Sequence, residues 1–377
     1  MTIQPFTIAI PDADTEDLKE RLARTRWPGE VSGSNWQYGT DLAYLQELCA
    51  YWQEGFDWRK QEAYLNRWPQ FTADLDGFRV HFIHARGNGP SPLPLVFTHG
   101  WPGSFFEAHK ILGPLTNPAS HGGDPADAFD VVVPSLPGYG FSEIPTVGGY
   151  GPGKTARLWD ALMQELGYTR YGAQGGDWGA VVTRNLGAYF PERLAGIHMN
   201  MMVGGRPPEN PTEEDIGIRD QGRKWQEVET GYQAIQRTKP QTLAYGLTDS
   251  PSGLAGWIVE KWRSWSDCHG DIETRFTKDE ILTNISIYWY TKTINSSARY
   301  YYEMTHDPAG NAGQGPVTVP TGFAAFPKEI IQAPRSWLEG GYNITSYNKY
   351  DRGGHFPAME EPGLLVEDIR AFFRPLR

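Results

Sequence analysis

The spacing of apolar positions changes twice along this chain. Up to about residue 72 it is helical: Leu18 and Leu22 recur one turn apart, and Leu42, Tyr44, Leu45, Leu48 and Tyr51 fall on one face of a second helix. Asp14 is expected to cap the first helix, with Glu16 and Asp17 in its first turn where the dipole favours negative charge, and Asp41 to open the second. The segment is rich in tryptophan but carries too little apolar surface to fold alone, so it should wrap onto a neighbour.

From Phe71 the pattern becomes that of strands. Runs at 71–75 and 78–83 flank Asp76-Gly77, a hairpin signal. Short apolar runs follow at 93–97, 129–133, 171–174 and within 193–202, separated by helix-like stretches such as 156–163. Strands alternating with helices predict an α/β domain with a mostly parallel central sheet covered by helices on both faces. After Gly204-Gly205 the alternation stops. Residues 206–315 read as helical and aromatic, with Thr277 and Glu280 spaced as a capping box; strands resume at 317–319 and 344–347, and a helix closes near 364–373. The chain divides into an N-terminal wrapping segment (1–72), the first part of the core (73–205), a helical insertion placed as a lid (206–315) and the second part of the core (316–377).

Composition narrows the class. Of 377 residues 39% are hydrophobic, enough for a large core. Basic residues number 34 against 45 acidic, a net charge of −11 with no basic run, which excludes nucleic acid and anionic membrane surfaces as partners. No apolar run approaches the roughly 20 residues of a membrane helix, and the start lacks the basic and apolar regions of a signal peptide. The expectation is a soluble cytoplasmic protein without integral membrane association. Cys49 and Cys268 allow at most one bridge and lack the spacing of a metal site.

The chemistry concentrates at Gly175-Gly176-Asp177-Trp178-Gly179, between a strand ending near Gln174 and a helix rich in Ala and Val. This is the pattern Gly-x-nucleophile-x-Gly, in which glycines allow a sharp bend that lifts the central side chain above the sheet edge. The central residue here is Asp. A carboxylate attacks without a base to deprotonate it and leaves an ester to be hydrolysed, which suits an epoxide or alkyl halide rather than an amide. The plain alternative is a Gly-rich turn whose Asp caps the next helix.

Upstream, Thr-His-Gly-Trp-Pro-Gly-Ser at 98–104 follows a strand, where elbow-type hydrolases place one oxyanion donor; the predicted donors are the backbone amides of Trp101 and Trp178. Downstream, His355 lies in a Gly-rich loop after the last predicted strand, placed to serve as base for a water. Taken singly, such a histidine is more often structural. Between nucleophile and histidine in chain order, Glu329 follows the strand at 317–319 and fits as the group that orients the imidazole; Glu303 and Asp307 compete but fall in the helical insertion. The stretch 148–155 matches the phosphate-loop pattern letter for letter, yet no buried strand precedes it and Pro152 removes an N–H from the cradle. It reads as a loop capping the helix from Thr155.

Together these motifs resemble the epoxide hydrolases of the α/β-hydrolase superfamily, in particular the microsomal and juvenile-hormone group with its N-terminal segment. The likeness rests on Arg26-Trp27-Pro28, on 99–104, 134–142 and 175–179, on 238–240 with 249–251, and on 320–322 and 353–356, nearly the whole chain. It implies the α/β-hydrolase fold and conversion of an epoxide to a vicinal diol, with Asp177 as nucleophile, His355 as water-activating base and Glu329 as orienting acid, and with no cofactor and no metal. It also implies two lid tyrosines bonding the epoxide oxygen: Tyr232, and Tyr301 by a Tyr-x-Glu spacing that leaves Tyr300 and Tyr302 as alternatives. The microsomal relatives carry a membrane anchor ahead of this segment, whereas this chain begins inside it. The expected partners are water and a small apolar epoxide, with a homodimer possible; the aromatic insertion suits a bulky or aryl group and equally its own packing. The rival enzyme reading is a haloalkane dehalogenase, disfavoured by the paired tyrosines. The non-enzyme rival, a binding protein on a retired hydrolase fold, is disfavoured because every catalytic position is filled.

Overall fold

The computed structural model describes residues 3–201, 203–205, 207–306, 315–332 and 334–377. Its strands are β1 (Ile3–Phe6), β2 (Gln70–Leu75), β3 (Phe78–Ala85), β4 (Leu93–Thr98), β5 (Phe129–Pro134), β6 (Tyr171–Gly175), β7 (Leu194–Met199), β8 (Val317–Ala325) and β9 (Tyr342–Lys349). They form one sheet in the order β1-β2-β3-β5-β4-β6-β7-β8-β9. The pairings from β1 through β3 to β5 are antiparallel and all the others parallel. Asp76 and Gly77 turn the β2–β3 hairpin with φ of 59° and 76°, the left-handed pair that a two-residue turn requires. Strands β5, β6 and β7 are buried at every position, as parallel strands covered on both faces must be.

Helices α1 (Asp12–Ala23), α2 (Leu42–Glu54) and α3 (Trp58–Leu65) precede the hairpin, α4 (Leu112–Thr116) follows β4, and α5 (Pro152–Glu165) and α6 (Trp178–Tyr189) flank β6. Between β7 and β8 lies a helical layer: α7 (Glu213–Glu229), α8 (Gly231–Gln236), α9 (Pro240–Asp249), α10 (Pro251–Trp265), α11 (Lys278–Thr291) and α12 (Ile294–His306). The Thr277–Glu280 capping box opens α11, and a second box, Thr212 with Asp215, opens α7. Among the described residues no helix is long and apolar enough to cross a membrane.

The structure departs from expectation in three places. The segment before the hairpin is not wholly helical, because β1 adds an edge strand; four residues that include Pro5 carry too little alternation to register. Helix α1 starts two residues ahead of Asp14, behind Pro11, so Asp14 lies in the first turn and caps nothing. Helix α5 starts at Pro152, which puts Thr155 inside its first turns, not behind a capping loop. Asp41 does cap α2, accepting from the Tyr44 amide at 2.8 Å. Met202 and Asp307 lie outside the described residues.

Candidate active site

Asp177 and Gly176 link the end of β6 to the start of α6, and Asp177 has φ 48° and ψ −127°. A non-glycine residue there stores strain on the order of 1–3 kcal/mol, which the surroundings must enforce. Close packing enforces it. A Cβ on Gly179 would stand 1.9 Å from the Thr98 carbonyl oxygen, and one on Gly175 would stand 2.4 Å from the Gly179 backbone. The bend is thereby wedged against β4 at positions only glycine fits. The side chain makes no capping bond to α6; its Oδ1 accepts from the Trp101 amide at 2.8 Å, across a gap that a Cβ on Gly100 would fill. The Trp178 amide, first in α6, has no partner within the helix.

His355 reaches this carboxylate from the loop after β9. Its backbone N–H donates to the Trp265 carbonyl at 2.9 Å, and its ring Nδ1 lies 2.7 Å from Glu329 Oε1. Ring Nε2 approaches Asp177 Oδ2 to 3.3 Å without the alignment of a hydrogen bond. Burial works against the imidazolium, but Glu329 and then Asp177 outweigh it and hold the His355 pKa well above its ordinary value. Of the competing carboxylates, Glu303 accepts from the Gly149 amide at 2.7 Å instead.

The tyrosines converge from the helical layer. The Tyr232 ring stacks on Trp101 at 5.1 Å and 4°, and the Tyr301 ring meets Trp178 edge-on at 4.6 Å. The two tyrosine rings are 5.8 Å apart, and burial followed by the charge of Asp177 raises the Tyr232 pKa. Successive residues of a helix point about 100° apart, so Tyr300 and Tyr301, both buried and both against Trp178, point differently, and it is Tyr301 whose ring meets Tyr232. Tyr300 bonds Thr155 Oγ1 at 2.8 Å and Tyr302 stacks on His306 at the surface.

Sequence spacing missed Glu107. A cavity of about 10 Å³ is walled by Gly100, Glu107, Gly176, Asp177, Asn200 and His355 among others, about the room one water needs. Burial pushes the Glu107 carboxyl up to about 8, against the Gly100 amide and His355, so it is mostly neutral at pH 7. The signal, in hindsight, is a lone carboxylate within Phe105-Phe106-Glu107-Ala108. A cleft of about 950 Å³ beside α7 and α8 is lined by Glu329 but not by Asp177. Among the described residues no group of His, Cys, Asp and Glu could hold a metal ion.

Comparison with known proteins covers the whole chain. Residues 3–108 match the family described as epoxide hydrolase N terminus, and residues 93–234 the alpha/beta hydrolase fold. A Stigmatella aurantiaca relative is 45% identical over 379 residues, covering 100% of this chain and 86% of its own. Epoxide hydrolase 1 of Oryctolagus cuniculus is 38% identical, covering 98% of this chain and 88% of its own. The crystal structure of juvenile hormone epoxide hydrolase from the silkworm Bombyx mori superposes with a TM-score of 0.92 at 29% identity, over 100% of this chain and 95% of that one. Aspergillus niger epoxide hydrolase gives 0.89 at 32%, over 100% and 97%. With identity at this level along its full length, the chain belongs to the epoxide hydrolases of α/β-hydrolase fold, enzymes that hydrolyse the ether bond of an epoxide.

Proposed function

We propose that this enzyme opens a bulky or aryl apolar epoxide through a covalent ester on Asp177. One observation carries the reading: the two carboxylate oxygens are differently engaged, Oδ1 by the Trp101 amide at 2.8 Å and Oδ2 facing His355 Nε2 at 3.3 Å. Oδ2 attacks an epoxide carbon, the ring C–O bond breaks, and Tyr232 or Tyr301 protonates the oxygen as charge grows on it. Esterification removes one of the two charges that favour the imidazolium. His355 therefore gives up a proton, which restores the tyrosine, and becomes a base.

Neutral His355 then takes a proton from a water in the cavity beside Glu107 and Asn200, and the water oxygen attacks Cγ of the ester. Charge collects on Oδ1, where the Trp101 amide already donates and the Trp178 amide would serve as the second donor. Collapse breaks the Cγ–Oδ2 bond, the imidazolium protonates the leaving oxygen, and the vicinal diol departs with Oδ2 while the water oxygen stays on Asp177. The residues present supply every proton and charge in this cycle, so it uses neither cofactor nor metal. Trp101, Tyr232 and Trp265, with ring centres 5.1–6.1 Å apart, give the site aromatic walls that suit an apolar substrate beneath the helical layer, which acts as its lid.

Substituting His355→Gln should stop the second step only. Incubated with styrene oxide, that variant is expected to gain the mass of one substrate, an adduct that Asp177→Asn abolishes. A variant that stays unmodified would sink the two-step scheme. In ¹⁸O-labelled water, a single wild-type turnover should label Asp177 and leave the diol unlabelled.

A further inference from the structure

Lys261, on α10, sits where lysines rarely go. It is 7% exposed, and its Nζ lies 5.0 Å from the centre of the Tyr232 ring. Glu229 Oε2, at the end of α7, stands 3.9 Å from the same nitrogen, and Glu260 forms a closer ion pair. An ammonium is strongly disfavoured inside a protein unless paired, and one carboxylate would be enough. Here two converge, leaving a group of three charges beside a phenol that the reaction asks to give up a proton.

We propose that Lys261 is a positioning residue for ring opening, holding the Tyr232 ring and offsetting part of the negative charge of Glu229 and Glu260 so that the Tyr232 hydroxyl can protonate the epoxide oxygen. This rests on the role given to Tyr232 above. A phenol that donates its proton becomes phenolate, and the interaction of a cation with the ring strengthens as the ring turns negative. Carboxylates alone would work the other way. Burial and the charge of Asp177 raise the Tyr232 pKa most, a bond with Tyr301 lowers it, and Glu229 and Glu260 both raise it further. The proton leaves Tyr232 Oη for the oxygen of the opened ring and returns from His355, so Lys261 exchanges none.

Single-turnover measurements with styrene oxide separate ester formation from ester hydrolysis. Lys261→Met should slow ester formation about tenfold and leave hydrolysis within about twofold, whereas Lys261→Arg should stay near wild type. Adding Glu229→Gln and Glu260→Gln to Lys261→Met should recover most of the lost rate. Equal slowing of both steps, or a triple variant as slow as the single, overturns the proposal and assigns Lys261 to packing alone. If Lys261→Met does not fold, Glu260→Gln with the lysine kept is decisive: faster ester formation supports the proposal and slower formation refutes it. Tyr232→Phe separates the two levels. Unchanged ester formation in that variant defeats the role of Tyr232 itself; slowed formation there, with Lys261→Met unaffected, defeats only the inference about Lys261.

Discussion

Two carboxyl groups beside His355, Glu107 half-buried and Glu360 buried, make the stability of this enzyme depend on pH. Burial pushes Glu107 up to about 8 and Glu360 to about 7, from ordinary values of 4.5. Between pH 4.5 and 8 the folded chain therefore holds protons that the unfolded chain has released, and stability falls as pH rises through that window. Urea midpoints measured at about pH 5 and about pH 8 should show that decline, and Glu107→Gln should make it shallower. An identical slope in the variant would mean that Glu107 titrates normally. The same residue marks the limit of what the sequence discloses. Asp177 is legible because a wedged bend permits only glycine at fixed offsets, and His355 and Glu329 follow from strand ends and chain order. Glu107 meets Asp177 and His355 across a one-water cavity although they lie 70 and 248 positions away in the chain (107 to 177, 107 to 355), and no local spacing records that. The run Tyr300-Tyr301-Tyr302 stayed ambiguous for a related reason, since only the packing of α12 decides which of the two buried rings, Tyr300 or Tyr301, meets Tyr232.

The helical layer also holds both loops that the proposed scheme uses. At the end of α10, Trp265 O accepts from the His355 amide, and Asp267 Oδ2 accepts from the Gly353 amide at 3.0 Å. Glu360 closes the clamp, accepting from Asp267 N at 2.7 Å and Phe356 N at 2.8 Å. From α11, Asn284 donates to Pro102 O and accepts from Ser104 Oγ, both at 2.8 Å, and Tyr288 donates to Gly103 O at 2.6 Å. The loop that presents the Trp101 amide is thus fixed from above. Asn284→Ala takes the donor from the Pro102 carbonyl and the acceptor from the buried Ser104 hydroxyl, a loss of about 1–3 kcal/mol in stability. It should slow ester hydrolysis about tenfold or more, because a displaced amide serves the oxyanion poorly. Single-turnover rates within twofold of wild type would show that the loop holds its own shape. At this scale the alternation of strand and helix was readable throughout the core. The clamp was not, since its bonds join segments that sequence pattern treats as separate.

Across the whole molecule, the N-terminal segment ties the edge of the sheet to the helical layer. Strand β1 extends the sheet beyond β2, while α2 and α3 pack beside α10 and α11. Polar bonds mark the seam: Trp52 Nε1 donates to Ser286 Oγ at 3.0 Å, Thr40 Oγ1 to Gly256 O at 2.7 Å and Tyr51 Oη to Asp279 at 2.8 Å. That the segment would pack on a neighbour was expected from its composition; where it docks was not, because its partners in these bonds lie 216 to 234 residues downstream (40 to 256, 52 to 286). Trp52 is the centre of this seam, 1% exposed and remote from the reacting groups. Trp52→Ala removes a buried indole and strands Ser286, at a cost of about 3–5 kcal/mol. Ring opening depends on α10 and α11 only while they stay docked, so at temperatures where the variant remains folded its kcat for styrene oxide should match wild type, while thermal unfolding comes many degrees earlier. A variant that melts normally yet turns over slowly would give the segment a direct part in catalysis, and the structural role argued for it would fall.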